Sequence, residues 1–308
     1  MSLAEAPDRD RRVRHLGLWA AMVAIGIGWG LTQLLSKIGM GAGYHPLGVT
    51  FWQAAIGAVV ALVALALTGR RLPFSRFHLA FYAACGLLGT ALPATLSFTA
   101  IQHLPVGVQS IVLATVPMMT LLLALPLGLE RAEPRRLIGL VLGLTAVLVL
   151  VGPDASLPHP GQAAWIALPV IVALSYASEN VLIDRYRPAG MDALQIGCGL
   201  FLAAFAMMVP MLAVPGIVPF PAAPGPRDLA LLACGILNIA SYLGLVWLIG
   251  RGGAVFASQV GYVVTGTGVL AGMLALGEQH SNYVWAALAL LFTGLALVTP
   301  RETASPKP

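Results

Sequence analysis

The sequence predicts an all-α integral membrane protein with ten transmembrane helices in two inverted five-helix repeats. Three observations lead there. Hydrophobic residues make up 58 % of the 308, and charged residues only 9 %, against about 25 % in ordinary soluble domains. Long stretches carry no Asp, Glu, Lys or Arg, among them 77–129, 155–178, 193–226 and 252–277. The basic residues also fall on alternate connections. The composition excludes a soluble fold, which needs a polar surface, and disorder, which needs low hydrophobicity and high charge.

About 20 apolar residues cross about 30 Å of hydrocarbon. Cutting the long stretches at Pro, Gly and polar punctuation gives spans 16–36, 47–68, 77–100, 105–128, 134–152, 161–183, 192–213, 227–249, 254–276 and 283–299. Span 1 follows Arg11, Arg12 and Arg14 like a signal peptide. Its apolar run is longer than a usual signal core, so it reads as a helix. Gln102 to Pro105 mark the turn between spans 3 and 4, and Pro215, Pro219, Pro221, Pro224 and Pro226 the loop before span 8. The expected units are a tail 1–15, repeats 16–153 and 154–300, and a tail 301–308.

One alternate set of connections holds 15 Lys and Arg, from Arg9 through Arg70, Arg135 and Arg251 to Lys307. The other set holds two, Lys37 and Arg227. By the positive-inside rule both termini are cytoplasmic, in an inner (plasma) membrane. Spans 4–5 align with spans 9–10 at an offset of 148, bringing Glu130 onto Glu278, Ser110 onto Ser258 and Thr145 onto Thr293. Span 1 aligns with span 6 at an offset of 147, bringing Trp29 onto Tyr176 and Gln33 onto Asn180. Five spans per unit invert the second unit, an architecture recurrent among transporters.

Polar residues inside spans are the candidate site. Glu179 is the one acid well within a span, where a charge costs about 2.5–3.5 kcal/mol on insertion scales. It precedes Arg185 by six residues, about 240° of helix rotation, so the two do not share a face. It reads either as a protonatable or amine-binding group facing a cavity, or as a structural carboxylate hydrogen-bonded by Ser175. Tyr176 and Asn180 extend its patch. Ser258, Tyr262 and Thr265 stand at i, i+4 and i+7 on span 9, either lining a cavity or bonding a neighbouring helix. Span 8 offers Asn238 and Tyr242, span 3 Thr95 and Thr99, and span 4 Gln109. Trp29 and Gln33 lie one turn apart on span 1. Lys37, at the end of that span, is expected to snorkel. The glycine pairs Gly26 with Gly30, Gly139 with Gly143 and Gly268 with Gly272 read as close helix contacts, and Pro93, Pro117 and Pro169 as kinks. Cys85, Cys198 and Cys234 read as small core residues. No phosphate-binding, metalloprotease or nucleophile motif is present, so neither a cofactor, a metal nor nucleic acid is expected.

Several short segments then resemble one family. Gly28-Trp29-Gly30 followed by Lys37, Ala173-Leu174-Ser175-Tyr176-Ala177 in span 6, and the ends Leu129-Glu130 and Leu276-Gly277-Glu278 are similar to motifs of the drug/metabolite transporter superfamily, EamA-type. The family's usual span 2 arginine is absent, because Phe51-Trp52 is followed by Gln53. The resemblance implies two inverted halves and export of metabolites, amino acids or drugs. The expectation is a secondary transporter working by alternating access, as a monomer or homodimer in a lipid bilayer, with a small-molecule substrate and protons as a candidate coupling ion. A facilitative permease, a channel and a lipid-modifying membrane enzyme are the rival readings.

Overall fold

In the computed structural model, which describes residues 6–41, 44–129, 133–151, 161–218 and 225–297, every regular element is helical. The helices are α1 Ala6–Met40, α2 Pro46–Leu67, α3 Arg76–Gly86, α4 Leu92–His103, α5 Val106–Leu113 and α6 Val116–Ala124. There follow α7 Pro134–Val151, α8 Ala167–Tyr186, α9 Ala193–Met208, α10 Pro226–Ser258, α11 Val260–Leu276 and α12 Asn282–Leu297. Local chemistry sets several ends. His45 caps α2 ahead of Pro46, Ser75 caps α3, and Asp192 with Gln195 forms a reciprocal capping box on α9. Gly277, in the left-handed region at φ 65°, ends α11.

Eight stretches among the described residues are long and apolar enough to cross a membrane: Gly17–Met40, Pro46–Leu67, Arg76–His103, Val106–Ala124, Gln162–Tyr186, Ala193–Ala213, Pro226–Gly253 and Phe256–Leu276. They answer to spans 1–4 and 6–9. At the fifth and tenth positions stand the shorter α7, of 18 residues, and α12, of 16. Glu130, Pro219, Pro221, Pro224, Arg301, Lys307 and the boundary at 153–154 lie outside the described residues.

The polarity is inside out. Leu67 and Leu274 are 82 % and 85 % exposed, whereas Thr50, Gln109, Glu179 and Asn180 are buried. An apolar exterior suits lipid, where unsatisfied polar groups are costly. α1 packs on α10 and α11, α2 on α9 and α10, and α3 on α9. α8 packs on α4 and α6, α5 on α11, and α7 on α12. Glycines permit the closest of these contacts. Gly26 and Gly30 face Val263 and Thr267 of α11, Gly143 faces Met118, and Gly294 faces the carbonyl of Gly139. All three cysteines are free and buried.

Interruptions fall within spans 3 and 4 and around the junction of spans 8 and 9. α5 and α6 are separated at Ala114-Thr115, ahead of Pro117. Gly253, at φ 78°, breaks α10, and Gln259 separates its end from α11. Between α3 and α4 lies a π-helical turn, Leu87–Ala91. Its cause is Pro93. The Leu92 amide bonds back to the Leu87 carbonyl, and Pro93 has no N–H to offer the next one. The Leu88 carbonyl is thereby orphaned, and Ser175 Oγ of α8 donates to it at 2.8 Å. Ser175 thus anchors α8 to the π turn and is not the partner of Glu179 that its spacing suggested.

Candidate functional site

The π turn, the helix breaks and the crossing of α1, α8 and α10 surround a central cavity. Its volume is about 80 Å³. The floor of polar groups comes from Glu179 and Asn180 of α8, Asn238 and Tyr242 of α10, and Gln33 of α1. Trp29, Tyr176 and Phe98 supply aromatic wall.

Glu179 is 2 % exposed. The Tyr242 hydroxyl donates to its Oε1 at 2.6 Å. Its carboxyl lies directly against Gly89 of the π turn, in space that a Cβ at 89 would occupy. A glycine and an added residue in the helical turn therefore make the carboxylate's berth, and π turns recur at functional sites. Two networks fix the other polar groups. Trp29 Nε1 donates to Asn238 Oδ1 at 2.8 Å, tying α1 to α10. Gln109 Nε2 donates to Gln33 Oε1 and to Ser97 Oγ, both at 2.7 Å. Gln53 Oε1 and Thr90 Oγ1 line the cavity, are buried, and have no hydrogen-bond partner among the described residues. No Lys, Arg or His is among the described lining residues.

Of the residues singled out from sequence, Trp29, Gln33, Tyr176, Glu179, Asn180, Asn238, Tyr242 and Ser258 line this cavity. Five lie elsewhere. Gln109 stands behind the wall and braces Gln33. Thr95 bonds Thr50 and its own helix at Ala91, and Thr99 bonds the Thr95 carbonyl. Thr265 bonds the Ser110 carbonyl across the α5–α11 contact. Tyr262 is buried in a separate apolar cluster with Val108, Val112 and Leu291. The expected stripe of Ser258, Tyr262 and Thr265 is divided because Gln259 interrupts the helix and resets its face. Sequence reasoning did not select Thr32, Gln53, Thr90 and Ser97 for the site, though all four line it. Thr90 lies within the π turn, so regular α-helical spacing gave no signal that it shares a face with Ser97.

At the end of the bundle where α1 finishes, Lys37 does not snorkel freely. Its Nζ pairs with Glu278 Oε1 at 3.1 Å. Glu278 also accepts the first amides of α5, Val106 N at 2.8 Å and Gly107 N at 3.1 Å. His280 Nε2 lies 4.0 Å from its other oxygen. Burial holds the His280 imidazole below its ordinary pKa, with Glu278 opposing. Beside them, Tyr44 donates to Asp228 Oδ1 at 2.9 Å, and that bond raises the phenol's pKa. Three helices are thus joined through one carboxylate.

This geometry can hold a small solute against one acid that meets no cation among the described lining residues, and the comparisons with known proteins agree with a transporter. An uncharacterized inner membrane transporter of Escherichia coli K12, YedA, is 30 % identical over 295 residues, covering 92 % of this chain and 91 % of that protein. A probable terminal-alkyne amino-acid exporter of Streptantibioticus cattleyicolor is 23 % identical, covering 92 % and 93 %. A solved crystal structure of 22 % sequence identity shares the fold at a TM-score of 0.59, over 90 % of this chain and 96 % of that one. The profile of the EamA-like transporter family matches residues 16–152 and again 163–299. The chain belongs to the EamA-like transporter family.

Proposed function

We propose that the protein is a secondary transporter of the inner membrane that exports small organic solutes by alternating access, with both termini cytoplasmic. The observation that carries this reading is the central cavity, lined from both halves of the chain and holding the buried Glu179 carboxylate. Solutes that bear an amine on an apolar or aromatic body suit it. Amino acids and amphiphilic amines are the two classes, and the amino-acid exporter named among the relatives supports the first. YedA's designation supports the membrane assigned. The 15 to 2 division of basic residues supports the orientation.

Helix pairing supports ten spans in two inverted repeats. Count α7 and α12 as spans 5 and 10. Span 1 then packs on 8 and 9, and span 6 on 3 and 4. Span 2 packs on 7 and 8, span 7 on 2 and 3, span 4 on 9, and span 5 on 10. Exchanging each span with the one five places away reproduces the same set. The aligned pairs Trp29 with Tyr176 and Gln33 with Asn180 line one cavity. Thr145 and Thr293 each bond the carbonyl four residues earlier at 2.8 Å.

Counterflow in proteoliposomes tests the reading. Purified protein should exchange labelled solute for unlabelled solute saturably, from a panel of amino acids, nucleosides and amphiphilic amines. Conductance at channel rates, or no exchange with any member, would remove it. Imposed pH gradients divide proton-coupled from facilitative exchange. Reporter fusions after Lys37, Gly152 and Pro226 should read as external, and two internal readings would overturn the orientation.

A further inference from the structure

We propose that the cavity selects small aromatic monoamines lacking a free carboxylate over the corresponding amino acids. This rests on the transporter reading and narrows its substrate class. The argument is one of charge and donor count. Among the described lining residues Glu179 is the only ionisable acid or base apart from two tyrosines, and none is Lys, Arg or His. The basic residue at the nearby end of α1, Lys37, is committed to Glu278. A monocation meeting the Glu179 carboxylate leaves the buried site neutral. An amino acid brings a second carboxylate into the same enclosure, where only neutral amide and hydroxyl dipoles are available to it. Like charges at close range in a low-dielectric site oppose one another strongly.

The open hydrogen-bonding capacity points the same way. Gln53 Oε1 and Thr90 Oγ1 are buried and without partners among the described residues, and both line the cavity. A primary ammonium carries three N–H donors and no acceptor. Glu179, Gln53 and Thr90 offer it three oxygens. Thr90 follows Gly89, the residue against which the Glu179 carboxyl rests, so two of these oxygens belong to one locality. Trp29, Tyr176, Tyr242 and Phe98 form the apolar and π-faced wall that a ring would occupy. Trp and Tyr faces also attract cations. A carboxylate would meet only neutral donors beside a like-charged group, whereas an ammonium meets the Glu179 carboxylate and two unpartnered oxygens.

The test is binding to the full-length protein in nanodiscs, by calorimetry at pH 7, with three ligands sharing one ring. Phenethylamine is the cation, phenylalanine the zwitterion and 3-phenylpropionate the anion. Phenethylamine should bind at least about 10-fold more tightly than phenylalanine, which is about 1.4 kcal/mol, and 3-phenylpropionate least. Glu179→Gln should remove that order while the protein keeps its thermal transition. Gln53→Leu should weaken phenethylamine several-fold and leave 3-phenylpropionate unaffected. Phenylalanine binding as well as or better than phenethylamine overturns the amine preference and leaves the transporter reading intact. Binding of none of the three also overturns the proposal, while counterflow with another solute decides the transporter reading separately. An unchanged order in Glu179→Gln removes the carboxylate as its cause.

Discussion

Two carboxylates, the buried Glu179 and the partly buried Glu278, stand in opposite electrostatic conditions. Glu278 is saturated: it takes Lys37, two backbone amides of α5 and the proximity of His280. Glu179 takes one hydrogen bond, from Tyr242, and meets no cation among the described residues. A saturated acid ties helices together and has little left for a solute. An acid with spare lone pairs, set in a cavity, costs stability and is retained where it serves a ligand. The first is expected to matter for the fold and the second for transport, and the variants below divide the two.

The largest expected effect is Glu179→Gln, which keeps size and most hydrogen bonding. Exchange should fall by about 100-fold, the scale of losing one partner of a buried charge pair, while the thermal transition in detergent stays close to wild type. Normal exchange with an unchanged pH profile would make Glu179 as structural as Glu278 and leave Tyr176, Asn180 and Tyr242 as the site. Next is Glu278→Ala, which leaves two amide donors and Lys37 without their acceptor. Its stability should drop by about 1–3 kcal/mol, read as a lower midpoint of unfolding, with exchange per folded molecule reduced far less. A variant of unchanged midpoint and no transport would reverse the assignment.

Gly89→Ala sharpens the contrast. Its Cβ would displace the Glu179 carboxyl, so affinity should fall about 10-fold. Stability should change little, since alanine favours a helix by about 1 kcal/mol over glycine. Lys37→Met should be milder, at about 0–1 kcal/mol, because Lys37 is partly exposed. The smallest effect concerns His280. Its pKa is depressed in the folded state, so the folded form favours the neutral ring. The contribution is present above the unfolded value of 6.5 and is lost as pH falls below it. The unfolding midpoint should decline on acidification through that window, and His280→Asn should flatten the decline. An identical decline in the variant would assign it to other groups.

Much of this was legible in the chain. Apolar runs and their punctuation marked the helices, because in lipid the backbone must satisfy itself within each span. Residues on uninterrupted helical faces, such as Trp29 with Gln33 and Tyr176 with Glu179 and Asn180, could be grouped by spacing alone. What spacing could not reveal depended on broken periodicity. Tyr262 and Thr265 part from Ser258 because Gln259 resets the helix. Thr90 and Ser97 come to the cavity, and Thr95 with Thr99 do not, because the rotation of α4 is set by the π turn before it. Glu278 with Lys37, separated by 241 residues, is a tertiary pairing that no local pattern announces.

The π turn also makes chain length a determinant of what the cavity presents. One residue more than α geometry requires is held between α3 and α4. Removing a single residue there would let the turn close as ordinary α-helix while α3 and α4 keep their present faces. The walls that Ala94, Ser97 and Phe98 give the cavity would stay. What would go is the widened turn at Gly89 and Thr90, against which the Glu179 carboxyl rests. A one-residue deletion, with no substitution at any lining position, would thus remove the seat of the acid and spare the rest of the enclosure.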